Sequence, residues 1–136
     1  SGDYGSIELE RMGQLGLHRY PTDRVIIGLN CYSISTAVYY ASVLDAQSFR
    51  GYQVWVTETG VADPNQHIEY VQKVYPILRD YLRPARDRFG NHRIFWYAYY
   101  AGEDLAHGNF GLIKNIQDLN NLWKSPLYKA LAGEGQ

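Results

Sequence analysis

The chain has 136 residues, room for one domain or a piece of one, and its 46 % apolar and 20 % charged residues suit a folded core. Thirteen Lys and Arg against fourteen Asp and Glu leave a net charge of −1, which gives no electrostatic pull toward nucleic acid or an anionic membrane. A single cysteine, Cys31, excludes an intramolecular disulfide framework, and no apolar run approaches the roughly 18 residues of a membrane span.

In chain order, the opening SGDYGSIELER lacks the basic and apolar regions of a signal peptide, which leaves the compartment undetermined. Ser6 to Leu15 reads as a helix, with Ile7, Met12 and Leu15 apolar. Val25 to Asn30 reads as a strand, and Ser35 to Gln47 as a helix whose Val38, Ala41, Val43 and Leu44 recur at helical spacing. A second strand spans Gln53 to Glu58. Asp63 is then placed as an N-cap, with Pro64 at the first helical position and Gln66 closing a capping box. Ile68, Val71, Val74, Tyr75, Leu78 and Leu82 give this helix a core-facing stripe, and Pro76 is expected to kink or split it. Arg93 to Tyr100 forms a third strand, and Leu119 to Leu131 a last helix broken at Pro126.

Each strand is nearly continuously apolar, the pattern of strands covered on both faces. The order α-β-α-β-α-β-α predicts an α/β fold with a parallel sheet, residues 1–136 forming one unit. Either a small open sheet or an arc of a (β/α)8 barrel satisfies that order. Thirteen Tyr, three Trp and four Phe bring the aromatic content to 15 %, a composition suited to ligands that are both ringed and hydroxylated.

Several chemistries drop out. No strand is followed by GxGxxG or GxxxxGK[ST]. His18, His67, His92 and His107 fall on separate segments without HExxH or CxxC spacing, so structural or surface roles are expected and no metal or cofactor is implied. Cys31 lacks a GxSxG-like elbow and reads as a small packed side chain. The charged run Arg83 to Arg88 reads as a solvated helix end.

What remains stands at the C-terminal strand ends, where α/β barrels carry their chemistry. Asn30 and Tyr32 share a face by alternation, and strict alternation puts Val54, Val56 and Glu58 on one face with Trp55 and Thr57 on the other. A carboxylate, a phenol, an amide and aromatic faces at one mouth suit glycoside chemistry.

Four pieces, in order, resemble the C-terminal part of a clan A glycoside hydrolase, the retaining (β/α)8-barrel glycosidases. IIGLNCYS resembles their sixth strand, whose terminal aromatic residue, here Tyr32, bonds to the nucleophile. VWVTETGV resembles the seventh, with Glu58 at the nucleophile's position. IFWYAYYAG resembles the eighth, where Trp96 would be a sugar platform, and FGLI followed by WKSPLYKAL is similar to the closing segment. The resemblance covers most of residues 20 to 131 and implies a hydrolase of β-linked saccharides acting by retention. Asn30, Trp96, Tyr99, Tyr100 and Glu103 would contact substrate.

Two departures qualify that reading. Asn30 stands where many clan members carry a His, and the acid/base Glu, usually within an Asn-Glu pair after strand four, has no counterpart here. Strands one to five of the ~250-residue barrel are missing. Glu103, Asp104 and Asp63 are the loop carboxylates on the same face. The implied partners are a carbohydrate and, for the exposed sheet edges, either self-association or a complementary N-terminal barrel half. The rival expectation is a non-catalytic half-barrel that acts by self-association or weak carbohydrate binding.

Overall fold

The computed structural model describes residues 2–83, 93–98, 109–114 and 116–134. Helix α1 (Gly2–Gln14) is followed by strand β1 (Ile26–Asn30), helix α2 (Ile34–Ala46), strand β2 (Gln53–Thr59), helix α3 (His67–Leu82) and strand β3 (Ile94–Trp96). The three strands form a parallel sheet in the order β1-β2-β3. The α/β class and the alternation of elements are as expected from the sequence.

Among the described residues, however, the sheet is covered on one face only. Burial alternates strictly along β1: Ile27 and Leu29 are buried, while Ile26, Gly28 and Asn30 are exposed. Ile27, Leu29, Val54 and Val56 pack with Ala37, Tyr40, Leu44, Leu78 and Leu82 from α2 and α3. Among the described residues the other face stays open, with Ile26 46 % and Phe95 41 % exposed. On that face Trp55 lies 5.9 Å from the Phe95 ring, and the Arg93 guanidinium sits 5.2 Å above it.

Local chemistry sets the helix ends. Ser33 caps α2 by accepting from the Thr36 N–H, and Asp63 caps a 3-10 turn (Pro64–Gln66) by accepting from the Asn65 N–H. Pro76 neither splits nor ends α3. The proline forfeits one backbone bond. Beyond it Leu78 and Leu82 are fully buried, and that packing carries the helix on. Arg50 ties the end of α3 to α2: its Nη1 donates to the Tyr81 and Arg83 carbonyls at 2.6 and 3.2 Å, while its Nε donates to Asp45 at 2.7 Å. Tyr52, buried behind β2, donates to the Leu17 and Tyr20 carbonyls and holds the approach to β1.

Two other expectations need correction. Helix α1, expected over Ser6 to Leu15, runs from Gly2 to Gln14 and buries Leu9, while Ile7, Met12 and the following Leu15 are exposed, as is Val38 of α2. The helix expected over Leu119 to Leu131, broken at Pro126, is instead a 3-10 turn (Leu119–Asn121), strand β5 (Trp123–Lys124) and helix α4 (Pro126–Leu131). Strand β5 pairs antiparallel with β4 (Ile113–Lys114). Ser125 caps α4 and Pro126 occupies its first turn, so Pro126 starts a helix rather than breaking one.

Candidate active site

A bulge shapes the open face at the strand ends. Leu29 pairs with Val56 but Asn30 pairs with Glu58, so β2 holds one extra residue, Thr57. An extra residue shifts the alternation of every side chain after it. Val54, Val56 and Thr59 are therefore buried toward the helices, while Thr57 and Glu58 both stand with Asn30 and Tyr32 on the open side. This corrects the shared face expected for Val54, Val56 and Glu58.

Tyr32, 38 % exposed, donates its phenol hydrogen to Glu58 Oε2 at 2.7 Å. Burial first, then the hydrogen bond to Glu58 and that carboxylate's charge, pushes the Tyr32 phenol above its usual range. Thr57 Oγ1 donates to Asn30 Oδ1 at 2.8 Å. That bond fixes the amide, so the Asn30 NH2 is left as a donor for something else. The sheet itself braces the pair, because the Cys31 N–H donates to the Glu58 carbonyl at 2.9 Å. Gly28 lies under the bulge: a β-carbon there would stand 3.0 Å from Thr57 Cγ2.

Behind the pair, Tyr70 of α3 shares a 2.7 Å hydrogen bond with buried Thr59 and donates to the Tyr32 carbonyl at 3.2 Å. Beside it, the Tyr97 and Phe110 rings stand edge-on to Tyr32, with centroids at 6.4 and 5.8 Å. Gly60, at φ 153°, lets them close in, since a β-carbon would meet the Tyr97 carbonyl at 3.1 Å and Phe110 at 3.2 Å.

Trp96 is not the ring beside Tyr32. It pairs with Thr59 and packs edge-on against His67 and Tyr70 of α3, its indole N–H donating to the Phe110 carbonyl at 2.8 Å. Alternation along β3 turns Phe95 to the open face and Trp96 toward the helices, and the rings beside Tyr32 are those of Tyr97 and Phe110. Tyr99, Tyr100, Glu103 and Asp104 lie outside the described residues. Asp63 is engaged by Asn65 and Gln66 as a cap.

Two further titratable groups, Cys31 and His67, are packed inside the fold. Burial pushes the Cys31 thiol up to about 11, partly offset by a backbone hydrogen bond from Ser33, which marks it as a packed side chain. His67 is fully buried, its Nε2 donating to the Asn109 carbonyl, and burial holds it below the usual histidine range. Among the described residues no cluster of His, Cys, Asp and Glu is arranged to hold a metal ion. Nor is any described helix long and apolar enough to cross a membrane.

No family model, curated protein or solved structure matches this chain. The geometry of the strand ends offers one carboxylate with a fixed phenol donor, one amide donor, and two aromatic rings at the same edge.

Proposed function

We propose that this chain supplies the nucleophile side of a retaining glycosidase site, as part of a (β/α)8-type barrel whose other strands lie outside these residues. The Tyr32–Glu58 hydrogen bond at 2.7 Å is the observation that carries the reading. Glu58 attacks the anomeric carbon of a β-linked saccharide, and the bond from that carbon to the leaving oxygen breaks with its electron pair. Tyr32 holds Glu58 by one oxygen, which leaves the other for attack. Asn30 donates to a sugar hydroxyl, and Tyr97 with Phe110 offers ring surface. The proton on a poor leaving group must come from a second carboxyl group about 5 Å away, supplied by the strands outside these residues.

A leaving group that departs as an anion removes the need for that acid. The test is therefore a panel of dinitrophenyl β-glycosides given to the folded chain. The expected result is about one equivalent of dinitrophenolate per chain, formed with a glycosyl ester and absent in Glu58→Gln. Release equal in Glu58→Gln, or no release across the panel from folded protein, contradicts the reading.

The uncovered face bearing Ile26, Trp55 and Phe95 supports a second reading, a non-catalytic half-barrel that works by association through this face. In that case Phe95→Asp reduces a measured oligomer to monomer, and Glu58→Gln has no effect on it.

A further inference from the structure

The hydroxyl of Tyr70 sits where the ends of the three strands meet. It donates its hydrogen to the Tyr32 carbonyl at 3.2 Å. A phenol has one hydrogen to give, so in the 2.7 Å bond with Thr59 it is the Thr59 Oγ1 that donates. The Thr59 carbonyl in turn accepts from the Tyr97 N–H at 2.7 Å. Burial pushes the Tyr70 phenol above its usual range, partly offset by hydrogen bonds from Thr59 and the Gly60 backbone, so at neutral pH it is an uncharged donor.

Both groups that Tyr70 joins belong to the Tyr32–Glu58 pair. Thr59 follows Glu58 directly and is fully buried, so its bond to Tyr70 fixes the strand just past the bulge. Tyr32 stands two residues beyond β1, past the Cys31 N–H that bonds to the Glu58 carbonyl. Its own peptide lies outside the sheet, and Tyr70 reaches it from α3. Tyr70 is itself held. It lies three residues after His67 in the first turn of α3, so the two side chains share a face of the helix. Both pack edge-on against the Trp96 indole, at 4.7 and 5.9 Å, and the Tyr75 ring stands edge-on to Tyr70 at 6.2 Å. A clamped ring fixes its hydroxyl, and a reactive group is placed only as well as the residues that support it.

We propose that Tyr70 is a positioning residue for Glu58: its hydroxyl ties the residue after the carboxylate to the backbone of the phenol that holds it. The effect of Tyr70 on rate rests on the glycosidase reading of Glu58, whereas its effect on the Tyr32–Glu58 pair does not.

Tyr70→Phe keeps the ring and removes the hydroxyl. It also leaves the Thr59 hydroxyl buried without that partner, which costs stability whatever happens to the pair. Adding Thr59→Val removes the orphan, so the double variant separates support of the fold from support of the site. The first readout is the carbon-13 resonance of Tyr32 Cζ at neutral pH, where Tyr70 carries no charge. The second is labelling of Glu58 by a 2-deoxy-2-fluoro dinitrophenyl glycoside, resolved into a maximal rate and a half-saturating concentration. In Tyr70→Phe the resonance should move at least halfway to its position in Glu58→Gln. The maximal labelling rate should fall about tenfold or more, with the half-saturating concentration within about twofold of the parent. In the double variant the urea midpoint should recover toward the parent, while resonance and rate stay displaced. A resonance or a rate that keeps its parent value in Tyr70→Phe overturns the proposal, and so does one that recovers with the midpoint. An unlabelled parent overturns the glycosidase reading alone, and the Tyr32 resonance then decides whether Tyr70 places the pair.

Discussion

Between Val56 and Glu58 the second strand carries one more residue than its neighbour, and the chemistry of the strand ends follows from it. Thr57 is as good a strand residue as those around it, so the sequence leaves the bulge unannounced and simple alternation fails there. Along β1, which has no such interruption before Asn30, alternation places Asn30 and Tyr32 correctly. The site was legible where the strand is regular and illegible one residue past the bulge.

Two predictions belong at the residue scale. In Glu58→Gln, Tyr32 loses a charged acceptor, though not its burial, so its phenol should ionise at lower pH than in the parent protein. Carbon-13 tyrosine spectra across an alkaline titration read this directly, and an unchanged titration would contradict the hydrogen bond. Gly60→Ala should cost about 1–3 kcal/mol, because a β-carbon at that backbone angle meets the Tyr97 carbonyl and Phe110. Urea unfolding would show it as a lower midpoint at unchanged slope.

At the scale of elements, the sequence announces starts better than ends. Asp63 caps a first turn as its side chain suggests, but that turn is a 3-10 turn ahead of α3, and Gln66 donates to the Asp63 carboxylate instead of closing the expected capping box. Pro76 signals a break that does not occur, because local propensity loses to the buried leucines beyond it. The β4–β5 pair escapes notice because two-residue strands are too short to set a period. The long-range partners of Arg50 are equally invisible in sequence. Asp45 is largely exposed, so that ion pair contributes little by itself. The two α3 carbonyls matter more, and Arg50→Ala should lower stability by about 1–3 kcal/mol in urea unfolding. Arg50→Lys should recover only part of this, because an ammonium has no planar fork to span both helices.

His67 gives the same scale a pH dependence. Burial disfavours its charged form, opposed by the Asn109 and Val61 carbonyls, so its folded-state pKa lies below the unfolded value near 6.5. Its contribution is therefore fully present above pH 6.5 and is lost as pH falls through the depressed folded value, because the unfolded chain takes up the proton first. The urea midpoint should decline as pH drops below 6.5. His67→Gln should be less stable at neutral pH but flatter across that window, and an equally steep decline in the variant would contradict this assignment.

At the scale of the molecule, a parallel three-stranded sheet has one face covered by helices and the other open. Nearly continuous apolar strands suggested cover on both faces, and the composition was right about apolar content. What the sequence could not reveal is that the second cover is absent among the described residues. An open face with one strand-end carboxylate held by a phenol is the arrangement on which the proposed glycosidase role rests. The Tyr32–Glu58 pair either reacts with a saccharide or it does not, and a 2-deoxy-2-fluoro glycoside bearing a dinitrophenyl leaving group decides between them. The fluorine slows hydrolysis of the glycosyl ester, so the label persists for mass spectrometry of proteolytic fragments. The account predicts one fluoroglycosyl group per chain, on the fragment containing Glu58 and missing in Glu58→Gln. An unlabelled folded chain, or a label that survives Glu58→Gln, would contradict it.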